Sequence, residues 1–123
     1  MTYDALSSEL IALIPELREP YEKEVEWWDG KDPGPHNFFG DVVTPFLLDL
    51  LGKCENEELI RRLFVFFAEM ASSEDKGVQE VLSFSVLERL GDDKQLLTKA
   101  YLFMSDSVKR LSDEVEQYLG RGK

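Results

Sequence analysis

The chain has 123 residues, 43% hydrophobic and 11% aromatic, which suits one domain with its own core and excludes a disordered polymer despite a charged fraction of 32%. Its 25 acidic and 14 basic side chains leave a net charge of −11, a field that repels phosphate backbones, disfavours direct nucleic-acid binding and makes basic proteins the natural partners. One cysteine, Cys54, rules out an internal disulfide. The apolar run at residues 63–68 is far too short to cross a bilayer, and Met1-Thr2-Tyr3-Asp4 has no basic leader, so a cytoplasmic protein with no membrane contact is expected.

In chain order, Leu6, Leu10, Leu13 and Ile14 recur at helical spacing behind Asp4 as a cap, and Pro15 ends the pattern by driving Ile14 out of the α region. Leu17, Tyr21, Val25 and Trp28 predict an inward stripe on a second helix that opens near Pro20. Residues 29–35, Asp-Gly-Lys-Asp-Pro-Gly-Pro, form the richest turn signal in the chain, and residues 36–43 admit the start of another helix. Thr44-Pro45 reads as a cap followed by proline at the first helical position, with Phe46, Leu47, Leu50 and Leu51 inward and Gly52 as the stop.

Asn56 then caps residues 57–71, a helix so apolar around its circumference that it must be surrounded by others. Its pairs Glu57–Arg61 and Glu58–Arg62 have the spacing of stabilising ion pairs. Residues 76–90 predict a helix with Lys76, Gln79, Glu80 and Ser83 outward and Val78, Val81, Leu82, Val86 and Leu90 inward, closed by Gly91. Asp92-Asp93 opens the next helix with Leu96, Leu97, Ala100, Tyr101 and Met104, two acids suiting its positive end. Ser105 caps the last, with Val108, Leu111, Val115, Tyr118 and Leu119 on one face. No segment alternates as a strand does. The expected fold is all-α: about six helices in hairpins around a central apolar helix, similar to a short HEAT-type solenoid. Residues 1–119 form the single domain and residues 120–123 a disordered tail.

A search for chemistry returns little. Nucleophilic hydrolysis needs a nucleophile, a base and an orienting acid, yet His36 is the one histidine, and Cys54 lies in an ordinary loop between Lys53 and Glu55. No phosphate-binding or nucleophile-elbow motif occurs. His36 with loosely spaced Asp32 and Asp41 does not have zinc-site spacing, and a histidine holding the preceding loop is the simpler reading. The chain is expected to be no enzyme and to carry no cofactor or metal.

The segment from Glu16 to Asp32 is more informative, with seven acids against Arg18, Lys23 and Lys31. Glu22 and Glu26 share a helix side, and of the adjacent Trp27 and Trp28 only one can turn inward. An acidic rim beside an exposed aromatic is the composition of a surface that captures a basic protein. The candidate contact residues are Glu19, Glu22, Glu26, Trp27, Asp29, Asp32, His36 and Phe39. A solvated helix face is the plain alternative.

Residues 33–41 (Pro-Gly-Pro-His-Asn-Phe-Phe-Gly-Asp), 81–90 and 90–93 resemble those of an uncharacterised family of small acidic all-helical bacterial proteins. In size, charge and helical build the chain is also similar to immunity proteins of contact-dependent and polymorphic toxin systems. That likeness implies a protein-binding inhibitor of a basic toxin, a nuclease being one candidate, with the acidic surface covering the toxin's active-site groove. A HEAT-like adaptor without a toxin partner, and a small enzyme or metal protein centred on His36, are the alternatives.

Overall fold

The computed structural model describes residues 1–121, among which there are seven helices and no strand. Helix α1, Leu6–Leu13, follows directly from a 3-10 turn at Tyr3–Ala5 and buries Leu6, Leu10 and Ile11, while Leu13 stays exposed. Asp4 makes no capping bond, because it lies inside that first turn. The start of the chain is held instead by the Tyr3 N–H, which donates to the Asp75 carboxylate at 3.1 Å. Ile14 leaves the α region (φ −127°, ψ 82°) ahead of Pro15, as the proline requires.

Helix α2, Arg18–Trp27, opens two residues earlier than Pro20, leaving the proline within the first turn, where a missing N–H costs nothing. No residue of α2 is fully buried, so the expected inward stripe holds only in part. Leu17, just before the helix, is fully buried, Tyr21 and Val25 are half-buried, and Trp28 is 38% exposed. Tyr21 meets Phe38 edge-on at 5.1 Å between centroids and docks the helix there.

Residues 36–53 were expected to contain a helix start at Thr44-Pro45. The structure instead carries one uninterrupted helix, α3 (residues 35–53), made of Pro35–Phe38, a π-helical segment Phe39–Val43, and Thr44–Lys53. Thr44 is helical (φ −63°) and caps nothing; its buried hydroxyl donates to the Ser85 carbonyl at 2.6 Å. Pro45 lacks an N–H and crowds the carbonyl four residues back, which ordinarily breaks a helix. The wider π segment immediately before it supplies the room. α3 stops at Cys54, in the left-handed region at φ 55°, rather than at Gly52.

Helix α4, Glu57–Ala71, has the predicted bounds and cap, with the Asn56 side chain accepting from the Leu59 N–H. It buries Leu59, Ile60, Leu63, Phe64, Phe66, Phe67 and Met70 and leaves a narrow solvent stripe through Glu58, Val65 and Glu69. Glu57 pairs with Arg61 at 3.1 Å. Arg62 does not pair with Glu58; it reaches Glu16 at 3.0 Å and the Leu13 carbonyl at 3.4 Å, tying α4 to the α1–α2 corner.

Helix α5 (residues 76–90) is as enclosed as α4. Between Lys76–Glu80 and Glu88–Leu90 it contains a second π segment, Val81–Leu87, packed against the π segment of α3 and against the last helix. Ser83, expected outward from α-helical periodicity, is buried within this π segment, while Val78, Val81, Leu82, Val86 and Leu90 are buried as expected and Phe84 is exposed. Helix α6, Lys94–Tyr101, opens after Asp92-Asp93 as predicted, with Asp93 as its side-chain cap, but ends before Met104; helix α7, Asp106–Tyr118, is capped by Ser105 as predicted. Val108 and Val115 of α7 are buried while Tyr118 is exposed.

Of the expected tail, residues 122 and 123 lie outside the described residues. Arg121 departs from that expectation: its guanidinium donates to Glu116 at 2.6 Å, to Asp92 at 2.6 Å and to the Glu88 carbonyl at 3.0 Å. A side chain at position 91 would press on the same Glu116 carboxylate and on the Arg121 guanidinium, so a residue larger than Gly91 would have to displace this ion pair.

The seam between the π segments makes a direct prediction. Thr44→Val keeps the shape of the side chain and removes the donor to Ser85, and should cost about 1–3 kcal/mol in urea unfolding. A cost below a few tenths would show that packing alone holds the seam.

Candidate partner-binding surface

The C-terminal end of α2 is built by backbone bonds. The Gly30 N–H donates to the Val25 carbonyl at 2.9 Å and the Asp29 N–H to the Glu26 carbonyl at 3.0 Å, the paired bonds of a Schellman motif. The left-handed position of that motif usually holds glycine; here it holds Asp29 at φ 56°. Next, the Asp32 carboxylate accepts from the Gly34 N–H at 3.0 Å, and the Asn37 amide donates to the Pro33 carbonyl at 2.8 Å. These bonds hold the loop between α2 and α3 in one shape and carry Asp29 and Asp32 at the end of the helix.

On this support Trp27 is 82% exposed, an aromatic ring almost wholly in solvent. Glu19, Glu22, Glu26, Asp29 and Asp32 are exposed on the same helix and loop. Glu19 pairs with Lys23 at 3.5 Å, both side chains well solvated. Among the described residues Glu22, Glu26, Asp29 and Asp32 make no ion pair. Trp28 turns towards the protein, its indole N–H donating to Glu24 at 3.1 Å.

Two of the expected contact residues fall elsewhere. Phe39 is fully buried, edge-on to Phe38 at 5.7 Å and against Phe66 at 6.4 Å, so it is a core residue and not a partner contact. Its placement follows from the π segment that begins there. His36 is exposed, but its contacts lead inward to the fold: Nδ1 lies 3.1 Å from the Ser85 hydroxyl and the ring is 5.9 Å from that of Tyr3. These contacts join the start of α3 to α5 and to the first turn. No group of three or more metal-binding side chains occurs among the described residues.

Sequence reading missed the pair Glu24 and Asp41. Removal from water raises the Glu24 pKa, and Asp41 facing it raises it further, while the Trp28 indole opposes the shift. The two acids come from α2 and the π segment of α3, and nothing in their sequence spacing brings them together. The acidity of the segment was legible; the fact that one carboxylate is held at a cost was not.

The model of a domain of unknown function, DUF7674, matches residues 7–120. No curated protein and no solved structure matches the chain.

The raised Glu24 pKa has a definite pH consequence. Ionised Glu24 destabilises the fold; the penalty is absent where folded and unfolded states are both protonated, develops as pH rises through the ordinary value of 4.5, and is complete above the raised one. Glu24→Gln, which still accepts from Trp28, should therefore raise the denaturation midpoint at neutral pH, and the gain should close as pH falls below 4.5. Equal midpoints at neutral pH would refute the assignment. Asp29→Gly relieves the left-handed backbone and should leave stability unchanged or raise it by up to about 1 kcal/mol, read by urea unfolding.

Proposed function

We propose that this chain, which belongs to the DUF7674 family, is a protein-binding inhibitor of the immunity type, which neutralises a basic bacterial toxin in the cytoplasm. The observation that carries the reading is Trp27, 82% exposed at the end of α2, on the same helix and loop as the exposed Glu22, Glu26, Asp29 and Asp32, which make no ion pair among the described residues. A solvent-exposed tryptophan contributes no burial to the fold and is among the side chains enriched at the anchoring centres of interfaces. Carboxylates around it supply a field that speeds encounter with a positive surface and rejects nucleic acid.

In a complex, Glu19, Glu22, Glu26 and Asp29 take the positions that phosphates would occupy in a nuclease groove, with Trp27 filling an apolar recess beside it. Asp32 has a double duty, since the same carboxylate holds the Gly34 turn. His36 supports the loop from behind rather than meeting the partner. The role needs no reaction at this surface.

The test pairs the intact protein with the products of the genes that adjoin its own. Replacing Glu22, Glu26 and Asp29 together by Gln, Gln and Asn should slow association by about tenfold or more at low salt and leave dissociation little changed. Trp27→Ala should act on dissociation instead, by about thirtyfold, the equivalent of about 2 kcal/mol. Unaltered protection of cells by the triple variant would overturn the surface assignment, and a neighbouring gene that encodes no toxin would favour the helical-adaptor reading.

A further inference from the structure

A second surface has the opposite character. Where the end of α3 meets the start of α4 and the end of α6, Leu51, Ile60, Leu102 and Phe103 line an open cleft of about 370 Å³, with Cys54 and Lys99 at its edge. That volume lies within the roughly 300–1,000 Å³ of small-molecule clefts, and an apolar lining with a few fixed polar groups is their usual make-up. Leu102 is 82% exposed at the lip. The floor is rigid, because the Phe103 ring stacks on Phe64 at 6.1 Å and the Arg61 guanidinium lies 5.1 Å from its centroid.

The electrostatics select the ligand. Lys99 Nζ is 3.3 Å from the Leu51 carbonyl and 3.3 Å from the Cys54 sulfur, and among the described residues no carboxylate pairs with it. The one carboxylate of the lining, Glu57, is engaged by Arg61 at 3.1 Å. In a chain of net charge −11, this cleft therefore presents an ammonium group with only neutral partners beside an apolar wall. The neighbouring cleft of about 420 Å³ between α6 and α7 also has an ammonium in its lining, Lys94, but shares that lining with two carboxylates, Asp113 and Glu116, which oppose an organic anion there.

We infer that the Cys54–Lys99 cleft binds an amphipathic organic anion, an aliphatic monocarboxylate whose head group accepts from Lys99 and whose chain lies along Leu51, Ile60, Leu102 and Phe103. A charge-assisted bond from a held ammonium orients the head, and burial of the chain supplies the remaining affinity. This site is independent of the acidic surface of α2.

Cys54 is the chain's one cysteine and is exposed, so its rate of reaction with a disulfide reagent reports occupancy of the cleft in the intact protein. Octanoate should slow that reaction, and octanol at the same concentration should slow it far less. Lys99→Gln should raise the octanoate concentration for half-protection by about tenfold, each variant being compared with its own rate without ligand. Leu102→Ser, at an exposed position that the core does not need, should also weaken protection. Equal protection by octanol would show a merely apolar surface and overturn the proposal. So would octanoate that protects neither the native protein nor the variants, or protection untouched by Lys99→Gln.

Discussion

The fold depends on two π-helical segments, Phe39–Val43 in α3 and Val81–Leu87 in α5, packed on one another. Widening a helix weakens its own hydrogen bonds, so such segments persist only where tertiary contacts compensate. Here the compensation is specific. Thr44 donates across the seam to the Ser85 carbonyl, Arg89 donates back to the Gly40 carbonyl, and His36 meets the Ser85 hydroxyl. The seam also lets Pro45 remain within a long helix. Phe38 and Phe39, adjacent in sequence, can then both enter the core. The loop that positions Asp29 and Asp32 is anchored through Pro35 and Asn37 to the helix that this seam holds.

Most of the helices were legible because their signals are local. Asn56, Asp93 and Ser105 each cap a helix through their own side chains, and the apolar pattern of residues 57–71 is dense enough to fix both ends of α4. Errors cluster at the π segments, where a reading based on α-helical periodicity loses phase. Periodicity put Ser83 in solvent, the Thr-Pro cap signal placed a helix start at Thr44, and the nearby Pro-Gly loop drew Phe39 to a surface. The ion pairs divide in the same way: Glu57–Arg61 follows from spacing, whereas Arg62–Glu16 needs the α1–α2 corner brought beside α4. Glu24 with Asp41 and Cys54 with Lys99 are likewise tertiary pairings between helices, to which no periodicity points.

The end of α2 concentrates features that add nothing to the stability of the fold or work against it. Asp29 sits in a left-handed conformation that glycine would adopt freely, removal from water and the facing Asp41 raise the Glu24 pKa, and Trp27 is left in water. Each is modest, but they fall within about one helical turn, on a helix with no fully buried residue. Strained or poorly solvated groups gathered at one place are expected where binding rather than folding selects the residues. The same grouping accounts for the sequence reading of this segment, since acidity and aromatic content could be seen without the geometry that makes them costly.

Charge then separates the two surfaces by what each can accept. A cationic partner gains Coulomb energy at α2 and loses it near Lys99 and Arg61; an organic anion does the reverse. One ligand cannot satisfy both on electrostatic grounds, and salt should weaken them differently. Encounter at α2 relies on a field spread over exposed carboxylates and is screened over a Debye length, about 8 Å at physiological ionic strength. A carboxylate at Lys99 would rely on one short hydrogen bond beside an apolar wall, where screening acts less. Their independence also follows from the fold, because α2 is docked on α3 through Tyr21 and Phe38, while the cleft is bounded by the far end of α3, α4 and α6.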